Sequence, residues 1–183
     1  MIVGLALLLA AADPPTIYQR VEQRLAADPA AAAALGRPAP QMREMDWLVG
    51  TWDVTAQVEG RSGPPETGTS VVTLVLGGTW LEIRDTYPSG TQDLGYVGYS
   101  AMEGRWVNVV FDSLMNANRS TAPAWENGRI VFEGDYLILG LPAHLRQIVE
   151  RSGADDYSVT NEERIEGQWH RLDSYHYRRR PAR

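Results

Sequence analysis

Cysteine is absent from all 183 residues of the chain. That absence removes disulfides, thiolate zinc and iron–sulfur sites, and any lipid-modified cysteine behind a leader, so the core alone must hold the fold. Basic residues are nowhere concentrated: Arg178, Arg179 and Arg180 form the only basic run, the net charge is −6 and the pI is near 5.1. A nucleic-acid binder needs a clustered basic surface, and this chain has none. A membrane-spanning run is missing too, since the apolar segment Met1 to Ala12 would reach only about 18 Å as a helix against a hydrocarbon core of roughly 30 Å. Also missing are a short ligand spacing such as H-E-x-x-H, a glycine-rich phosphate cradle and a G-x-S-x-G elbow, so no metal site or nucleophile is expected.

What is present begins with that apolar segment. Ala10-Ala11-Ala12 precede Asp13-Pro14-Pro15, a small-residue cleavage pattern, and the segment reads as a secretory signal. No Lys or Arg precedes Arg20, so its charged n-region is cut short. The expected organisation is a signal over 1–12, a helical extension with a Pro-rich linker over 13–41, and a β domain over 42–183, exported to the periplasm or secreted. Thr16 with Gln19 three residues on forms a capping box, and Ile17, Val21 and Leu25 share one helix face. Asp28-Pro29 restarts a helix through the alanine run to Gly36, and Arg37 to Gln41 is read as linker. Met42, Met45 and Leu48 fall at helical spacing and predict an apolar plug.

From Thr51 the hydrophobic period becomes two. Trp52, Val54, Ala56 and Val58 alternate with polar residues, and strands separated by turn signals continue to Arg178. Gly77-Gly78 reads as a two-residue hairpin, and Asn127-Gly128 as the strongest turn. Nine or ten strands joined as hairpins predict an all-β, antiparallel up-and-down barrel, because pairing the last strand with the first removes both sheet edges. Tyr136 to Leu141 fits either a strand end or an apolar flap over a mouth.

Leu48-Val49-Gly50-Thr51-Trp52, Gly77-Gly78-Thr79-Trp80-Leu81, Gly95-Tyr96-Val97-Gly98-Tyr99 and Tyr177-Arg178-Arg179-Arg180 together resemble the DUF1579 family of bacterial proteins. The likeness covers Met45 to Arg180 and implies a calycin or lipocalin-like barrel, alongside nitrobindins. It further implies a structural seal in which Gly50, Trp52 and one of Arg178 or Arg179, with Arg178 taken first, close the narrow end. Nitrobindins bind haem through a histidine on a late strand. That resemblance makes His176 a candidate haem ligand, with His170 and His144 the other histidines. The sequence departs from the nitrobindin opening, because Trp52 is followed by Asp53-Val54-Thr55-Ala56 rather than glycines.

Strand parity supplies the remaining candidates. Leu81 and Ile83 share a face with Asp85 and Tyr87, and Tyr157 and Val159 share one with Asn161 and Glu163. On the last strand two assignments are open: Arg178 over Trp52 turns His176 and Ser174 inward, whereas Arg179 turns Tyr175 and Tyr177 inward. Tyr99 and Phe111 join Asp85, Tyr87, Asn161, Glu163 and His176 as candidate ligand contacts. The expected function is an exported, non-enzymatic barrel for a small apolar or amphipathic ligand, without cofactor or metal. The alternatives are a haem or nitric oxide protein, a small isomerase or hydrolase using Glu163 and His176, and an envelope module docking through Tyr136 to Leu141.

Overall fold

The computed structural model describes residues 14–181; the apolar segment 1–12 lies outside them. The chain divides into two compact units, one ending at Leu35 and one beginning at Gly36. In the first, α1 (Ile17–Ala27) starts where the sequence indicates. Gln19 N–H donates to the Thr16 hydroxyl and Thr16 N–H donates to Gln19 Oε1 at 2.8 Å. Asp28 then caps α2 (Pro29–Ala34) by accepting from Ala31 N–H at 2.9 Å. Among the described residues no helix is long and apolar enough to cross a membrane.

The second unit opens with a 3₁₀ helix, Pro40–Leu48. Pro40 and Gln41 therefore belong to a helical turn and not to the linker, because a proline at the first helical position has no lost hydrogen bond to regret in its missing N–H. Met42, Met45 and Leu48 are buried on it. Ten strands follow: β1 (Gly50–Val58), β2 (Glu66–Val75), β3 (Trp80–Thr86), β4 (Gln92–Ser100) and β5 (Arg105–Asp112), then β6 (Ala117–Ala122), β7 (Arg129–Ile138), β8 (Leu141–Arg151), β9 (Asp156–Ile165) and β10 (Gln168–Arg179). They form a closed antiparallel barrel in which β10 pairs with β1, Trp52 opposite Arg179 and Tyr177 opposite Val54.

Two local readings change. Leu76–Gly78 is a short 3₁₀ turn entered through Leu76 at φ 50°, so Gly77-Gly78 does not make a two-residue hairpin. Tyr136 to Leu141 is the tip of the β7–β8 hairpin, with Leu139 and Gly140 at positive φ. One seam differs from the other strand pairs. β6 and β7 share a single registered pair, Thr121 with Glu133. Beyond it Asn116 and Asn118 side-chain carbonyls accept from Leu139 N–H (2.9 Å) and Leu137 N–H (3.0 Å).

The start of β1 and the end of β10 define the closed end. Trp52 is fully buried, and its indole N–H donates to Leu48 O at 2.8 Å. Arg179 lies 4.1 Å over that indole, donates to Val49 O at 2.8 Å and to Trp47 O, and pairs with Asp155 at 3.1 Å. The seal is thus Arg179; Arg178 is exposed on the opposite face, because β10 alternates and only one of the two can face Trp52. Gly50 is required here, since its φ is +143° and a Cβ would stand 2.5 Å from Arg179 Nη1. Trp47, Trp52 and Tyr157 pack edge-on to one another from there, and Tyr157 and Tyr177 lie parallel at 4.2 Å.

Candidate functional site

Because side chains alternate along every strand, one face of each supplies the barrel interior, and that interior is not filled. It holds a cavity of about 420 Å³, floored by Met45 and Leu48 and reaching the Leu114, Asn116 and Ile138 mouth. Its lower wall is apolar: Ile83, Val97, Ile130, Phe132, Val149 and Val159. A polar belt lies above.

One part of the belt is a row of acids. Asp85 on β3, Asp93 on β4 and Asp112 on β5 are direct partners in successive ladders, with Ser70 on β2 opposite Asp85. Both Asp112 oxygens are taken by the β5–β6 turn: Leu114 N–H (2.8 Å), Asn116 N–H (3.0 Å) and the Asn116 amide (2.7 Å). Asp85 is 8% exposed. Its Oδ2 accepts from the Tyr177 hydroxyl at 3.1 Å, while Oδ1 has no hydrogen bond. Burial pushes its pKa up, partly opposed by the Ser70 and Tyr177 hydroxyls nearby. Burial also lifts Asp93 to about 6, helped by the negative charges of Asp85, Asp112 and Asp173.

The other part is a chain of amides. Asn108 donates across the barrel to Gln147 (3.2 Å), Gln147 to Asn161 (3.3 Å), and Asn161 to Asp173 Oδ1 (2.7 Å). Every link points the same way and ends on a carboxylate. Burial raises Asp173 to about 6 against the Asn161 hydrogen bond. Tyr87, Tyr157, Tyr175 and Tyr177 all have raised pKa values, chiefly from burial, and stay neutral phenols.

Of the candidates read from the sequence, Asp85 and Asn161 line the cavity. Tyr87 is buried beyond it, packed close to Gly68 with its hydroxyl unpartnered. Tyr99 packs edge-on to Trp106 at 5.5 Å toward the closed end, away from the cavity. Phe111 is 43% exposed on the outer face, because β5 is apolar on both faces and its inward set is Trp106, Asn108, Val110 and Asp112. Glu163 keeps the inward parity of β9 but sits past the cavity, opposite Leu145 and His170. His176 is exposed outside, 3.7 Å from Asp156, so Glu163 and His176 do not meet as an acid–base pair. Asp93, Asp112, Asp173 and Gln147 were missed, and of the two open assignments of β10 the one that turns Tyr175 and Tyr177 inward holds. Parity from Gly95 and Val97 could have found Asp93.

No histidine lines the cavity. His144 is held outside, its Nδ1 donating to Asp135 (2.7 Å) and Nε2 to Glu133 (2.8 Å), and His170 is exposed. A histidine-ligated haem does not fit this interior. Among the described residues no group of three or more carboxylates and histidines converges tightly enough to hold a metal ion.

No family model matches the chain, and no curated protein is detectably similar to it. The chain is similar to the crystal structure of Rv2717c from M. tuberculosis, with 14% identity over 79% of this chain and 99% of that one and a TM-score of 0.56. A redesigned β-barrel also aligns, with 16% identity over 76% of this chain and 96% of that one, but its TM-score of 0.34 is too low to bear on the fold. The Rv2717c likeness is one of fold, and the fold of this chain is a closed ten-stranded antiparallel barrel.

Proposed function

We propose that this protein is an exported, non-enzymatic barrel that holds a small apolar or amphipathic molecule. The observation that carries the reading is the cavity of about 420 Å³ inside a closed sheet, apolar below and polar toward its mouth. A few convergent polar groups over an apolar wall are what a small-molecule site needs, and the volume falls in the usual range of such sites. Native mass spectrometry of protein purified without refolding tests it. A retained or exchangeable ligand of low mass is expected; a protein mass with no adduct, and no uptake of added amphiphiles, overturns it.

The finer affiliation, with the DUF1579 branch of the calycins, rests on the four motifs and their order. The haem alternative draws no support from the interior, where tyrosines and carboxylates stand and no histidine does. Adding hemin and finding a Soret band that survives His176→Ala would reopen it through another ligand.

A further inference from the structure

We propose that the cavity selects an organic cation, a protonated amine or quaternary ammonium on an apolar body; this rests on the small-molecule reading above and names its ligand class. The first argument is register. Asp85, Asp93 and Asp112 are consecutive cross-strand partners on the inner face, which places neighbouring Cβ atoms about 5 Å apart, and like charges directly opposite are destabilising. Asp173 adds a fourth carboxylate to the same cavity.

Among the described residues the hydrogen bonds to these acids come from neutral groups, and no ion pair reaches Asp85, Asp93, Asp112 or Asp173. Arg146 is the only basic residue among the described residues on the cavity wall, and its guanidinium is engaged by Glu162 and stacked 4.3 Å from the Trp169 ring. The second, independent observation is Asp85 Oδ1, a carboxylate oxygen buried in the wall without a partner. An unpaired buried acceptor costs more than a hydrogen bond returns, so it marks a place where a donor is expected to arrive.

The amide chain directs its donors along the belt and away from Asp85 Oδ1. Asn108, Gln147 and Asn161 each donate to the next acceptor and deliver the last hydrogen bond to Asp173. A ligand that brings donors or positive charge answers Asp85 Oδ1 and the acid row together. A carboxylate head would add a like charge to the row, and a hydroxyl could answer only one oxygen. Among the described residues no three of these side chains group to hold a metal ion, which leaves a larger, softer cation. The half-buried ring of Tyr175 beside them supplies a face that attracts such a cation.

The same groups set the pH dependence. Asp93 faces Asp85 on β3 and Asp112 on β5, with Asp173 beyond; Asp173 faces Asn161 on β9 and Tyr175 on its own strand. Asp93 and Asp173 each take up a proton near pH 6, so acid removes the charge that holds the head group, whereas an alkylamine stays protonated.

The test uses three probes with one chain and different heads, octylamine, octanol and octanoate, titrated calorimetrically into the full-length protein at pH 7.5. Octylamine is expected to bind at least tenfold tighter than octanol, with octanoate weakest. Asp93→Asn together with Asp173→Asn should narrow that gap by weakening octylamine, and lowering the wild-type protein to pH 4.5 should narrow it without a mutation. Equal binding of all three probes, or a preference for octanoate, overturns the cation proposal while the binding barrel stands. Failure of every probe to bind overturns both. A gap that persists undiminished in the double variant and at pH 4.5 also overturns the proposal.

Discussion

The two ends of this barrel treat polar groups in opposite ways. At the closed end Arg179 meets the Trp47 and Val49 carbonyls, the Asp155 carboxylate and the Trp52 face together, and the Trp52 indole N–H meets Leu48 O. Higher up, Asp85 keeps an oxygen unpartnered and Asp93 stands between two other acids. The first arrangement lowers the energy of the folded chain; the second raises it. A protein that tolerates the second gains something other than stability from it, the usual mark of a site of action.

The contrast is broken most severely at the cork. Trp52→Ala should lose about 3–5 kcal/mol through lost burial and the void it leaves, read as a lowered urea midpoint. Arg179→Ala should cost about 1–3 kcal/mol, because it uncovers the indole and strands two carbonyls. Arg178→Ala at its exposed neighbour should stay within about 0.5 kcal/mol. Thermal melts of the two variants side by side decide which arginine is the seal.

At the acid belt the sign should reverse. Asp173→Asn is expected to stabilise the ligand-free protein at pH 7.5 by on the order of 1 kcal/mol. Its carboxyl is raised from 3.8 to about 6 in the fold. The wild type therefore keeps full stability below about pH 4 and loses it as pH climbs through about 6, so the advantage of the variant opens above 6 and closes below 4. Melts across that range that show no crossover would contradict a costly carboxylate. The smallest effect belongs to His144, whose pKa is raised by hydrogen bonds to Asp135 and Glu133. Its contribution is full below the unfolded value near 6.5 and fades as pH rises past the folded one. Solvent screening should limit the loss in His144→Ala to a few tenths of a kcal/mol at pH 6.

Closure of the barrel was legible because pairing the last strand with the first removes both sheet edges, and the inward faces of β3 and β9 followed from strict alternation. The face of β10 was not. Arg178 and Arg179 are chemically identical, and a register shift between Arg171 and Asp173 interrupts any parity counted from the strand's start. Phe111 misled because size suggests burial, yet on a strand apolar on both faces the decision falls to its neighbours. The acid row stayed hidden for a deeper reason. Asp85, Asp93 and Asp112 lie on three different strands, and only the register of those strands makes them adjacent.

The join between β6 and β7 is stitched by asparagine side chains where the other strand pairs are laddered by backbone. A stitch can be undone one thread at a time, whereas a ladder resists as a unit, so the wall should part there first. Amide hydrogens of Leu137 and Leu139 would then exchange ahead of those in β9 and β10, and a guest too wide for the mouth would find its doorway in the side.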